Sequence, residues 1–88
     1  MEVTLRQKGG FAGTSAIIAK ATAEPARVRP LLERMKELAE KHNPVGADLV
    51  RYELSIKDSG SEMLVSFADD DSDTARQLMD LANKIAAR

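Results

Sequence analysis

Val50, Tyr52, Leu54 and Ile56 alternate with Arg51, Glu53, Ser55 and Lys57, a period of two that predicts a strand over residues 49–58 with one buried face. Met63, Val65 and Phe67 alternate in the same way with Leu64 and Ser66. The polar tetrad Asp58-Ser59-Gly60-Ser61 between the two runs predicts an antiparallel hairpin. A second pair of runs lies near the N-terminus. Val3 and Leu5 alternate with Glu2, Thr4 and Arg6 over residues 2–7, and Ile17 and Ile18 fall within residues 15–21. β-Branched residues suit a pleated surface, so these runs also predict a hairpin. Alanines at 16, 19, 21 and 23 leave its second strand ambiguous, because alanine favours helix.

Spacings of three and four replace alternation elsewhere. Leu31, Leu32, Met35, Leu38 and Ala39 form one apolar face, with Glu33, Arg34, Lys36, Glu37 and Glu40 mostly towards water. Thr22-Ala23-Glu24-Pro25 has the form of a helix start, with Thr22 or Glu24 near the cap and Pro25 in the first turn. Pro30 divides the reading. A helix running from Pro25 loses an early hydrogen bond there, at up to about 3 kcal/mol, and the alternative is a short turn with the main helix restarting near Arg29. Asn43-Pro44-Val45-Gly46 ends the element. A closing helix is predicted over 74–88, with a core face of Ala75, Leu78, Leu81, Ala82 and Ile85. Asp69, Asp70, Asp71, Ser72 and Asp73 supply its cap and place negative charge at its positive end, while Lys84 and Arg88 suit its C-terminus.

The order β-β-α-β-β-α predicts an α+β fold, a four-stranded, mostly antiparallel sheet with two helices on one face. Its other face, carrying Arg6, Arg51, Glu53 and Lys57, is expected in water. Eighty-eight residues make one domain spanning 1–88, which buries roughly 60–65% of its unfolded surface. With 43% apolar and only 3% aromatic residues, the core is aliphatic. A formal net charge of -1 and the absence of tryptophan argue against nucleic acid as a partner. No cysteine is present, which removes disulfides, thiolate metal sites and a cysteine nucleophile. The longest purely apolar run, residues 16–19, is too short to cross a bilayer. A soluble, cytoplasmic protein without a membrane association is expected.

The most distinctive stretch is Lys8-Gly9-Gly10-Phe11-Ala12-Gly13-Thr14, one of two phenylalanines set among three glycines. Glycine admits positive φ and close main-chain approach, so a turn or bulge is expected, with Phe11 either pinning it to the core or facing a partner. The stretch lacks the Gly-Lys-Ser/Thr ending of a phosphate loop. Asp69, Asp71, Asp73 and Asp80 stand at positions one, three, five and twelve of a calcium-hand count. Thr74, however, occupies the place of the required glycine, and the last ligand is Asp instead of Glu. His42 is the only histidine, and nothing in the sequence pairs it with a serine nucleophile. No catalytic residue, metal ligand or cofactor is assigned, and the chain is expected not to be an enzyme.

Gly9-Gly10-Phe11-Ala12-Gly13 after a first strand, an acidic helix, Tyr52-Glu53-Leu54-Ser55-Ile56 before a polar turn, Val65-Ser66-Phe67-Ala68-Asp69 and a leucine-rich closing helix together resemble the emfourin family. Emfourin-like proteins are bacterial inhibitors of thermolysin-family zinc metallopeptidases such as protealysin. The resemblance implies a thermolysin-like metallopeptidase as partner. Such peptidases prefer a bulky apolar residue just after the cleaved bond, so Gly9, Gly10, Phe11, Ala12 and Gly13 are expected to enter the cleft with Phe11 in that pocket. Residues 24–49 match no family pattern, and Asn43, Pro44 and Val45 are added as a second expected contact. A different class remains open, a small interaction or regulatory module that self-associates through a sheet edge, with Val3-Thr4-Leu5 as the unblunted strand. The oligomeric state is left open.

Overall fold

A computed structural model describes residues 1–8, 15–42 and 49–86. Within them the chain forms β1 (Glu2–Lys8), β2 (Ser15–Thr22), α1 (Pro25–Lys41), β3 (Val50–Asp58), β4 (Ser61–Asp69) and α2 (Asp73–Ala86). The strands make one antiparallel sheet in the order β2-β1-β3-β4. This is the α+β architecture that alternation and helical spacing predict, with element ends displaced by one or two residues.

The inner sheet face supplies Val3 and Leu5 from β1, Leu54 and Ile56 from β3, and Val65 and Phe67 from β4. Val28, Leu32 and Met35 of α1 and Leu78, Leu81, Ala82 and Ile85 of α2 close over it. Each fully buried aliphatic side chain contributes roughly 1.5–3 kcal/mol of transfer free energy. Tyr52 and Phe67, opposite each other in the register, stack with ring centroids 5.5 Å apart. No helix among the described residues is long and apolar enough to cross a membrane.

Helix α1 is continuous through Pro30, which decides for the unbroken helix from Pro25 over a restart near Arg29. Pro30 removes only the bond to the carbonyl of Ala26, and both residues are exposed, so water can take up that oxygen. Continuity also brings Val28 into the core face four residues before Leu32. Glu24 stands at the N-cap position, yet its side chain makes no capping bond. At the C-terminus of α2, Arg27 of α1 donates to the carbonyls of Lys84 (2.8 Å) and Ile85 (3.2 Å). A cation at the negative end of the helix dipole ties the two helices together.

Strand β1 is central, paired with β2 on one side and β3 on the other. The reading of Val3-Thr4-Leu5 as an open edge is therefore wrong. Alternation identifies a strand's buried face, whereas edge position depends on which distant strand pairs with it, here β3 some fifty residues on. The edges are β2 and β4. Met63, on the alternating face of β4, is consequently exposed near the sheet margin.

Candidate functional site

Gly9, Gly10, Phe11, Ala12, Gly13, Asn43, Pro44 and Val45 lie outside the described residues. The residues from which those two segments depart are described. Lys8 and Ser15, either side of the first segment, are register partners. Lys8 also pairs with Arg51, and Arg51 with Ala68. Ser15, Lys8, Arg51 and Ala68 thus form one row across all four strands at one end of the sheet. His42, at the C-cap of α1, reaches the same row, its Nε2 lying 3.0 Å from the carbonyl oxygen of Ala68. Leu49 directly precedes β3 and lies two residues before Arg51. Sequence spacing alone does not show that residues 8, 15, 42 and 49 converge.

On the outer face beside this row, Lys8 donates to Glu53 at 2.8 Å, and the guanidinium of Arg6 stands 4.0 Å from the same carboxylate. Glu53 is mostly sheltered and both cations are substantially open, so water weakens the pairs. Ser55, the one buried polar residue among those described, donates its hydroxyl to Glu62.

The β4–α2 connection holds the second polar cluster. Asp71 has φ 65°, a conformation aspartate tolerates, and its amide donates to Asp69 Oδ1. The amide and hydroxyl of Ser72 both donate to Asp70 Oδ1. Ser72 Oγ in turn accepts the amide of Ala75, which makes Ser72 the side-chain cap of α2. Asp70 is held below the usual carboxylate range, chiefly by the Ser72 hydroxyl, with partial burial opposing and the Ser72 amide and nearby His42 assisting. His42 Nε2 stands 3.5 Å from Asp70 Oδ1, and its ring is almost fully buried.

Histidine, aspartate and serine therefore do meet, but in an order that does not activate a nucleophile. The carboxylate lies between the other two, so the imidazole does not take the proton of Ser72, whose hydroxyl is already committed to Asp70 and to the helix cap. This cluster fastens the end of α1 to the start of α2. Sequence inspection did not foresee it, since the members come from two elements about thirty residues apart.

Three of the four carboxylates of the calcium-hand count, those of Asp69, Asp73 and Asp80, have other partners. Asp69 accepts the Asp71 amide, Asp73 pairs with Arg76 and Asp80 with Lys84 within α2. Among the described residues no group of three or more His, Cys, Asp or Glu side chains is placed to hold a metal ion. A groove of about 500 Å³ lies by the β3–β4 turn. Met1, Leu32, Ile56 and Met63 line it, and its margin mixes Arg29 and Lys36 with Glu33 and Glu62. Both signs on one margin select no particular ligand charge.

These features define a two-layer α+β protein with paired segments anchored at one sheet end. Comparison with protein-family models, curated proteins and solved structures finds no match to this chain.

Proposed function

We propose that this protein inhibits a thermolysin-like zinc metallopeptidase, with Gly9, Gly10, Phe11, Ala12 and Gly13 occupying the cleft and Asn43, Pro44 and Val45 making a second contact. The resemblance to emfourin-like inhibitors motivates the reading. The observation that carries it is the shared attachment of the two segments to the row Ser15, Lys8, Arg51 and Ala68, with His42 fixed against that row. A partner approaching this end of the sheet meets Lys8, Ser15 and His42, the residues from which both segments depart. Rigid anchoring lowers the entropy lost on binding, and glycines permit the close main-chain approach that cleft binding requires. Phe11 is the apolar anchor in this reading, and a contact tight enough to inhibit covers roughly 800 Å² of this protein.

The test is titration of a thermolysin-like peptidase with the purified protein, following cleavage of a short fluorogenic peptide at fixed calcium. Dose-dependent inhibition is expected, and Phe11→Ala should weaken it by roughly 30-fold or more, as loss of a hot-spot side chain does. Failure to inhibit any of several such peptidases removes the proposal. Inhibition by Phe11→Ala equal to that of the parent removes the role of Phe11 while leaving the activity.

A further inference from the structure

Strand β2 is an edge strand with an unusual surface. Its register with β1 slips between Leu5 and Arg6, so that Leu5 opposes Ala19, Arg6 opposes Ile17, and Ile18 is left over. Strict alternation would turn one of two adjacent residues to the core. The bulge instead leaves both isoleucines in solvent, Ile17 at 56% and Ile18 at 48% exposure. Lys20 is the only charged residue on the strand, and no proline interrupts it. Of the features that ordinarily blunt an edge, β2 carries Lys20 and the bulge, with neither a proline nor a second charge. The opposite edge is different. Strand β4 carries two carboxylates, Glu62 near one end and Asp69 at the other.

We infer that β2 pairs antiparallel with β2 of a second copy of this chain, about a two-fold axis between Ile17 and Ile18. That axis sets Ile17 against the second copy's Ile18, Ala16 against its Ala19 and Ser15 against its Lys20. The pleat is matched. Ser15, Ile17 and Lys20 share the outer face with their partners Lys8, Arg6 and Thr4, whereas Ala16 and Ala19 share the helix-covered face with Gln7 and Leu5. Charge is matched as well, because the strand's lone cation meets a serine and no like charges stand opposite. Arg6 and Lys8, the nearest other cations, already face Glu53. Four isoleucines then gather on the outer face, in an eight-stranded sheet closed by symmetry. Growth of an open fibre by β2 pairing onto β4 is opposed by the carboxylates Glu62 and Asp69 of that edge.

The contact is small. The six residues of each copy paired about this axis, residues 15–20, extend roughly 20 Å and a strand is about 10 Å deep, which gives about 200 Å² per copy. A stable interface needs roughly 800 Å² per partner, so the dimer is weak and strongly concentration-dependent.

Sedimentation equilibrium over about 10 μM to 1 mM tests this without any peptidase present, so its outcome is independent of the inhibition assay. The weight-average mass is expected to rise towards twice that of the monomer, and Ile17→Lys and Ile18→Lys should each hold it at the monomer value. Leu64→Lys, an equally exposed change on the other edge, should leave the rise intact. Amide exchange provides the second readout, with residues 16–20 slowing as concentration rises in the parent and not in Ile17→Lys. A mass that stays monomeric throughout overturns the inference. So does association lost on Leu64→Lys and kept on Ile17→Lys, or exchange at residues 16–20 that does not respond to concentration.

Discussion

In the β3–β4 hairpin two residues make the turn, Ser59 and Gly60 at φ 50° and 87°, and nine-residue strands run in unbroken register from Asp58–Ser61 to Val50–Asp69. Positive φ at both central positions is the type I′ geometry, whose twist matches that of the strands it joins. The β1–β2 hairpin has a bulge, alanines where β2 meets the helix layer, and two isoleucines in water. The first hairpin commits its large side chains Leu54, Ile56, Val65 and Phe67 to the core. The second leaves its large side chains on β2 uncommitted. Hydrophobicity and β-branching alone do not decide whether a residue is core, since a single extra residue in the ladder redirects a side chain.

Substitutions should separate the two hairpins by the size of their effect. Leu54→Ala, at a fully buried position on a central strand, is expected to cost about 2–5 kcal/mol in urea unfolding. A cost below about 1 kcal/mol would mean that the β3–β4 hairpin is not the stabilising half. Gly60→Ala comes next. A Cβ there meets nothing within 4 Å, so the expected loss of about 1–2 kcal/mol is conformational, from φ 87° alone. Ser72→Ala, which removes the cap of α2, should cost about 1 kcal/mol and lower the thermal midpoint without changing the strands.

Asp70 sharpens the contrast through pH. Its folded pKa is depressed, chiefly by the Ser72 hydroxyl, so its stabilising contribution is complete above the ordinary aspartate value of about 3.9. That contribution is lost as pH falls through the lower folded value. Asp70→Asn should therefore melt below the parent near about pH 6, with the gap closing at about pH 2. Parallel melting curves across that range would exclude the linkage. The smallest effect belongs to β2, where Ile17→Ala is expected to change monomer stability by less than about 0.5 kcal/mol, because the side chain is already in water. A loss comparable to that of Leu54→Ala would show that Ile17 supports the fold, and the contrast between the hairpins would fall.

Much of the fold was legible because its signals are local. Alternation at Val50, Tyr52, Leu54 and Ile56, the Ser59-Gly60 turn, and the face formed by Ala75, Leu78, Leu81, Ala82 and Ile85 each lie within one element. The closing helix could likewise be given an acidic, cap-rich start from composition, although Ser72 as the capping side chain is a matter of geometry. The candidate site was legible only as residue types, glycines around Phe11 and a proline turn after His42.

Long-range pairing decided the remainder. Nothing local marks β1 as central, because the strand it pairs with is distant in sequence and its own pattern is that of any half-buried strand. The bulge that exposes Ile17 and Ile18 appears only when β2 is laid against β1. The meeting of His42 with Ala68 and Asp70, and of Arg27 with the end of α2, depends on how two helices cross one sheet. Sequence determines which face of each element avoids water, since that follows from the repeat of the backbone and the cost of apolar hydration. Tertiary structure determines which elements become neighbours, and hence which edge is open and which residues gather at one end, because those contacts join residues that the chain itself keeps far apart.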